Sequence, residues 1–549
     1  MCDPAGEHAV NNLVWWGYTL ALATADSQAQ EANSLKKSRA LFVLRVALIS
    51  AAGVLLVLGA VLLGTALWVR RTFGKISVEQ LLLHLPGAGG AEVTGAETGY
   101  FVSFIVQALI VPLAALAVVL LLLNILRRQG TNSAGSSPRV WSRRLTLLPG
   151  VLAVAVFAAG TGVFADTVSL AQYVRSQTTT LSMADYYVSP NIEGDMAQAH
   201  LSQDAAPKNL VFIFLESIED SMADDQLFEQ NMFEPLQRVT EDWQTIPDYQ
   251  MFSGGGWTMA GLVGTSCAVP LRGAGVGEND INSNEIGSGA DEFMPGAVCL
   301  GDVLKAEGYQ NVFLGGADAA FASKGKFLSS HGYDDVRDLS TWVAAGETEL
   351  SDWGLSDRRL MDHAKEEIVR LHESGKPFNL TMLTLDSHEP THLYDYCEQT
   401  TEDALESAIR CSMEQVAGFI QFMDEMGYLD DTVVVLSGDH PKMVGEAFVS
   451  LGALSTVVDR SIFNRIWSPD GVAATRAGAD QLSMLATTLD VLGVGREDRR
   501  AGVGVSALVT SAPGSVLDLD GSRYDELIQS ASRDLYRDLW KPHTPAVSV

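Results

Sequence analysis

Asn209-Leu-Val-Phe-Ile-Phe-Leu-Glu216-Ser217 is an apolar run of strand length that stops on a carboxylate, and Val433-Val-Val-Leu-Ser-Gly-Asp439-His440 repeats the arrangement far downstream. A strand buried on both faces reads as such a run, and open α/β sheets place their chemistry beyond the carboxyl ends of parallel strands. Two runs that end in Glu and in Asp-His predict one metal site on one sheet edge.

Around these runs, apolar strand-length segments alternate with amphipathic helical ones from Lys208 onward. This is the pattern of an α/β domain whose central sheet is flanked by helices. The expected strands are 210–215, 311–314, 378–385 and 432–436. Gly254-Gly-Gly-Trp257-Thr258-Met-Ala-Gly261 reads as a glycine-rich turn entering a helix, where backbone N–H groups favour an anion. A hydroxyl placed there beside a divalent cation loses its proton readily and becomes a nucleophile, and Thr258 is that hydroxyl. The strand at 378–385 runs into Asp386-Ser387-His388, and the loop after 311–314 carries Lys324 and Lys326. Taken singly, a glycine-rich turn is an ordinary loop, a strand-end Glu is a helix cap, and a lysine is a solvated surface charge. Their shared placement on one expected edge makes the case for a site.

Charge is divided unevenly along the chain. Residues 1–200 carry 13 Lys and Arg against 11 Asp and Glu, and the remainder carries 24 against 56. So acidic a domain excludes nucleic acid as a partner, because phosphate contacts need Lys and Arg. Three windows, 46–69, 98–126 and 145–165, hold no charged residue, and each meets the roughly 20-residue length of a membrane span. They begin too late and are too many for a cleaved leader. Lys36, Lys37, Arg39 and Arg45 precede the first window, and Arg127, Arg128, Arg139, Arg143 and Arg144 lie between the second and third. The excess of positive charge puts these two segments in the cytoplasm and everything after the third span outside. The amphipathic stretch 76–85 is expected either along the outer membrane–water interface or packed between the spans, and the segment around Trp15, Trp16 and Tyr18 at the interface.

The resulting organisation is a cytoplasmic segment 1–45, a three-span region 46–165, a linker 166–207, an extracytoplasmic catalytic domain 208–540 and a disordered tail 541–549. Four cysteines fall outside, Cys267, Cys299, Cys397 and Cys411. The short polar insert between Cys397 and Cys411 favours that bridge, which leaves Cys267 with Cys299; four separate buried thiols are the alternative.

The ordered blocks NLVFIFLES, GGGWTMAG, GGADAAFASKGKFLSSHGYD, TLDSH and VVVLSGDH resemble the membrane-anchored phosphoglycerol transferases, which include the lipoteichoic acid synthases and the enzymes that decorate periplasmic glucans. The resemblance spans about residues 185–493 and implies the alkaline phosphatase–sulfatase fold. Carried over by position, it implies a single cation, Mn²⁺ or Mg²⁺, held by Glu216, Thr258, Asp439 and His440, with Thr258 as nucleophile. Lys324 falls where the lipoteichoic acid enzymes carry an arginine on the substrate phosphate, and His388 matches their phosphate- or leaving-group-contacting histidine. Lysine offers a point charge in place of a bidentate fork. The tryptophan that precedes that arginine by two residues is Ala322 here, and Trp353 is the candidate replacement.

The activity so implied moves phosphoglycerol from phosphatidylglycerol, through a phosphothreonine, to a hydroxyl of a glycan or polyol-phosphate acceptor outside a bacterial cell membrane. A phosphoethanolamine transferase on the same fold and a catalytically silent envelope scaffold are the alternatives. A sulfatase is disfavoured, because its C-x-P-x-R nucleophile context is missing: Cys267-Ala-Val-Pro270-Leu-Arg272 is one residue too long.

Overall fold

The computed structural model describes residues 5–72, 75, 76, 78, 81, 102–132, 138–190, 207–273, 286, 287, 289–442, 453, 454 and 456–541. These divide into two compact units, one formed by 1–68 with 99–164 and the other by 69–98 with 165–549.

The first unit is helical. Helix α1 spans Ala5–Thr72, α2 Val111–Asn132 after a π turn at Ile105–Ile110, and α3 Pro138–Thr167. Three stretches, Lys36–Arg71, Val102–Leu122 and Gly150–Thr167, are long and apolar enough to cross a membrane. Phe42, Ile49, Leu121 and Val151 are exposed on these helices, which suits hydrocarbon and not water. Gly59 and Gly160 let α1 and α3 approach closely: a Cβ on Gly160 would lie 2.2 Å from the Gly59 carbonyl oxygen. The expected interfacial stretch 76–85 and the tail 542–549 lie almost wholly outside the described residues, as do the side chains of Trp15, Trp16 and Tyr18.

The second unit is built on a six-stranded sheet of order β3-β2-β4-β1-β5-β6. The strands are β1 Asn209–Leu215, β2 Gln310–Gly315, β3 Asp335–Arg337, β4 Phe378–Leu383, β5 Thr432–Gly438 and β6 Asn464–Trp467. All pair in parallel except β6, which runs antiparallel on β5. A short antiparallel pair, β7 Arg500–Ala501 and β8 Gly504–Val505, lies apart. Val211 of β1 sits in register between Leu380 of β4 and Val434 of β5.

Alternate residues of β1 feed two cores, as a strand covered on both faces requires. Leu210, Phe212 and Phe214 join one core; Val211, Ile213 and Leu215 join the other. After a short helix α4 at Leu170–Thr178, the first face is packed by Met259, Leu262 and Val263 of α5, Thr258–Cys267, and by Met484, Leu485 and Leu489 of a helix at Met484–Leu492. Against the second lie Leu360, Met361 and Ile368 of a helix at Asp357–Glu373 and Ile409, Met413 and Val416 of a helix at Ala404–Glu425. Truncating a core ring such as Phe212, 1% exposed, to Ala would cost roughly 3–5 kcal/mol.

Three details depart from the sequence-based expectation. The segment expected as a linker carries a helix at Leu170–Thr178, and its Met183 is fully buried in the first core. The strand expected to reach residue 385 ends at Leu383, because the N–H groups of Leu385 and Asp386 turn to the Asp357 carboxylate. Strands β3 and β6 were not expected from the sequence at all.

Cys267 is joined to Cys299 and Cys397 to Cys411, bridging 32 and 14 residues respectively.

Candidate active site

Because β1, β4 and β5 are parallel neighbours, their carboxyl ends share one edge, and each end delivers polar side chains there. Glu216 follows β1, Thr384 to His388 follow β4, and Asp439 and His440 follow β5. The backbone is fixed before any ligand arrives. The Glu216 N–H donates to Thr384 Oγ1 at 2.9 Å, and the N–H groups of Ser217 and His440 both donate to Asp439 Oδ1, at 2.7 and 2.8 Å. Gly438 is needed for close approach: it ends β5 in extended conformation, and a Cβ there would lie 2.0 Å from the Ile218 carbonyl oxygen.

Glu216, Asp439 and His440 are 3%, 0% and 2% exposed, and one ligand atom from each falls within 4.8 Å of the others. His440 Nε2 lies 3.8 Å from Glu216 Oε1 and 3.6 Å from Asp439 Oδ2. His440 Nδ1 lies 2.9 Å from the Pro441 carbonyl, which only accepts, so Nδ1 carries the proton and Nε2 presents its lone pair to the carboxylates. Burial pushes His440 down toward the neutral form that ligates metals. Burial and the charge of Glu216 push the Asp439 carboxyl well up. Glu216 is also buried, yet His388, His440, the Ser217 hydroxyl and Lys442 hold it down at about 2. Asp439 Oδ2 has no hydrogen-bond partner among the described residues although it is buried. An orphaned carboxylate oxygen facing a second carboxylate and a bare imidazole nitrogen fits a divalent cation, and the mixed O/N donor set suits Mn²⁺, Mg²⁺ or Zn²⁺.

Thr258 opens α5, whose N-terminus has no side-chain cap hydrogen bond and so leaves first-turn N–H groups for an anion. Its Oγ1 lies 3.3 Å from Glu216 Oε2, and the residue remains partly exposed. Gly261 allows this helix to dock, since a Cβ there would sit 2.1 Å from the Asp439 carbonyl oxygen. Gln481 Nε2 donates to the same carbonyl at 2.6 Å.

Lys324 is 4% exposed and follows two residues in the left-handed region, Ala322 (φ 51°) and Ser323 (φ 58°). Such strain is tolerated where a side chain must be aimed. Burial lowers its pKa against the pull of Glu216, Asp318, Asp338 and Asp439, and its ammonium makes no hydrogen bond among the described residues. Lys326 belongs elsewhere, donating to the carbonyls of Gly287 and Ala290. Trp353 stands at the site and not in the core: its ring lies 4.2 Å from that of His388, and Phe321, 45% exposed, lies edge-on 6.1 Å away. The seven residues singled out from sequence, Glu216, Thr258, Lys324, Trp353, His388, Asp439 and His440, thus come from six separate segments of the chain. Lys442, Glu389, Ser387 and Gln481 complete the surroundings and were missed, because their burial depends on distant partners that no local pattern encodes.

The family described as Sulfatase matches residues 208–493. Among curated relatives, phosphoglycerol transferase I of Xanthomonas axonopodis pv. citri is 35% identical over 317 residues, covering 56% of this chain and 44% of that protein. Phosphoglycerol transferase I of Salmonella choleraesuis is 33% identical over 252 residues, covering 44% and 32%. The chain thus spans less than half the length of the curated relatives it matches. Among solved structures, the lipoteichoic acid synthase LtaP from Listeria monocytogenes aligns with 18% identity and TM-score 0.44, over 62% of this chain and 81% of that one. An alkaline phosphatase superfamily protein from Vibrio parahaemolyticus gives 20% and 0.44, over 60% and 78%. With its parallel sheet, its strand-end cluster and a family match over more than half its length, the chain belongs to the sulfatase family.

Proposed function

We propose that this protein transfers phosphoglycerol from phosphatidylglycerol to a hydroxyl of an extracytoplasmic glycan or polyol-phosphate polymer, through a phosphothreonine at Thr258. The observation that carries the reading is the Thr258 hydroxyl 3.3 Å from Glu216, a carboxylate that itself lies 3.8 Å from the bare His440 nitrogen, which is 3.6 Å from the orphaned Asp439 oxygen. The name shared by the curated relatives supports the donor group.

Glu216, Thr258, Asp439 and His440 would hold the cation, Mn²⁺ or Mg²⁺, whose charge makes the threonine oxygen nucleophilic and offsets charge on the phosphoryl oxygens. The Thr258 oxygen, its proton lost to water, forms a bond to phosphorus in line with the bond to diacylglycerol, which breaks. His388, entering as the imidazolium, gives its Nε2 proton to the departing diacylglycerol oxygen. In the second half the acceptor hydroxyl returns a proton to His388 and attacks the same phosphorus, releasing Thr258. Lys324 and the first-turn amides of α5 face the phosphoryl oxygens throughout. Trp353 lines the side on which His388 stands and bounds the glycerol.

The topology read from charge, with the catalytic unit 208–540 outside a bacterial membrane, is part of the same proposal. Two disulfides support it, since they persist in oxidising compartments. The test is intact mass of the full chain in detergent with Mn²⁺ and phosphatidylglycerol, for wild type and Thr258→Ala. A phosphoglycerol adduct on wild type alone is expected. An adduct formed only with phosphatidylethanolamine would replace the donor, and none with either lipid would overturn the transferase reading.

A further inference from the structure

Lys442 is a lysine 1% exposed, two residues beyond His440, and the mechanism above does not use it. Its main chain is gripped on both sides. The Lys442 N–H donates to Glu219 Oε2 at 3.0 Å, and Arg460, itself paired with the fully buried Glu219, donates to the Lys442 carbonyl. From this anchor the side chain crosses to the loop after β4. There Nζ donates to the Ser387 carbonyl at 2.5 Å and pairs with Glu389 Oε2 at 2.7 Å. Strand β1 lies between β4 and β5, so this reach passes over the strand that ends in Glu216. The Ser387 hydroxyl in turn donates to the Glu216 carbonyl at 2.5 Å.

Glu389 is the hub of that loop. Its backbone carbonyl accepts from the Trp353 indole N–H at 2.8 Å and from His388 Nδ1 at 2.6 Å. Because a carbonyl only accepts, His388 carries its proton on Nδ1 and turns Nε2 outward as the atom that exchanges a proton. One carbonyl therefore orients both aromatic residues of the site, and one largely buried ion pair, its lysine 1% and its glutamate 13% exposed, holds the residue that owns it.

A buried ion pair is a poor device for stability, since apolar replacements of both partners often do as well. It is a good device for fixing one arrangement. We propose that Lys442 and Glu389 form a clamp that positions His388 Nε2 and the Trp353 ring over the phosphoryl site. The clamp rests on the phosphoglycerol-transfer reading for its catalytic consequence but not for its geometry.

The test compares full-length wild type with Lys442→Met, Glu389→Gln and the double variant, which removes both charges and leaves neither uncompensated. Four quantities are measured: kcat and KM with phosphatidylglycerol, bound manganese per chain, melting temperature, and hydrogen exchange of the peptide 384–397. The double variant is expected to melt and bind manganese as wild type does. Its kcat should fall about 10- to 100-fold, as a small misplacement of a proton-transfer group does, with KM little changed and the 384–397 peptide exchanging faster. The acidic limb of its kcat–pH profile should also move, which a purely structural contact would leave in place. An unchanged kcat in the double variant would overturn the clamp, and so would a kcat loss matched by lost manganese and a lowered melting temperature. Should wild type transfer nothing from phosphatidylglycerol, the donor reading fails and exchange alone decides: faster in 384–397 upholds the clamp, unchanged overturns it.

Discussion

Thr258 Oγ1 stands 3.3 Å from Glu216 Oε2, joining the first residue of a helix to the residue that follows β1. The contact is a loose hydrogen bond whose proton a cation would displace. If Thr258 is the nucleophile, its hydroxyl and not its shape is what matters. Thr258→Ala is expected to lower kcat on the order of 10³-fold or more, while Thr258→Ser keeps the hydroxyl and a detectable covalent adduct. Mass spectrometry after a short incubation with lipid decides this. Equal adduct on the Ala variant would move the nucleophile elsewhere.

Gly261 tests the metal centre from its second layer. A methyl there meets the Asp439 carbonyl at 2.1 Å, so α5 or the end of β5 must shift. Gly261→Ala is expected to weaken manganese binding about 10- to 100-fold while the protein stays folded, because displaced supports mis-set the ligands. Chelation of wild type should abolish transfer, and added Mn²⁺ should restore it. Manganese affinity equal to wild type in the variant would sever the link between helix docking and the metal.

Much of this arrangement could be read without coordinates, and the reason is local. Strands β1 and β5 lie centrally and are covered on both faces, so their burial is written as unbroken apolar runs. Strand β3, Asp335–Arg337, is half-buried at one sheet edge, and β6 carries Asn464 and Arg465 in its ladder; neither leaves an apolar run to find. The same divide runs through the site. Glu216, Asp439 and His440 announce themselves by ending strands. Lys442 looks like any surface lysine until Glu219, Arg460 and Glu389 close around it, and those contacts span between 18 and 223 residues. A lone tryptophan is equally consistent with a core position, and only the ring contact of Trp353 with His388 separates the two.

Lys324 gives a prediction whose two halves point in opposite directions. A buried ammonium with no hydrogen bond among the described residues is paid for in stability, and Glu216 and Asp439 offset only part of that. Lys324→Met should therefore raise the melting temperature while lowering kcat/KM about 10²-fold, since a phosphate would enter without its counter-charge. Lys324→Arg should retain more activity than Met. A melting temperature and kcat/KM that both fall would show that Lys324 is part of the packing and not of phosphate recognition.

Asp480 provides a pH signature away from the metal. Its Oδ1 accepts from the Leu482 N–H at 3.1 Å and its Oδ2 from the Tyr524 hydroxyl at 2.5 Å, beside a cavity of about 200 Å³ that Arg476 also lines. Burial raises its pKa from 3.8 to about 6, with the Tyr524 bond pulling the other way. A carboxyl raised on folding binds more protons in the native state between those two values. Its contribution is therefore fully present below about 3.8 and is lost as pH rises toward 6, on the order of 1.4 kcal/mol per unit. Asp220 and Asp357, also raised to about 6, slope the same way, so the difference between wild type and Asp480→Asn isolates one group. An Asn keeps an acceptor for Leu482 and a polar partner for Tyr524, and it does not titrate. The variant should gain on wild type as pH rises from 4 to 6 and hold a constant offset above 7. Parallel melting curves across that range would mean that Asp480 is ionised throughout and that the cavity wets it.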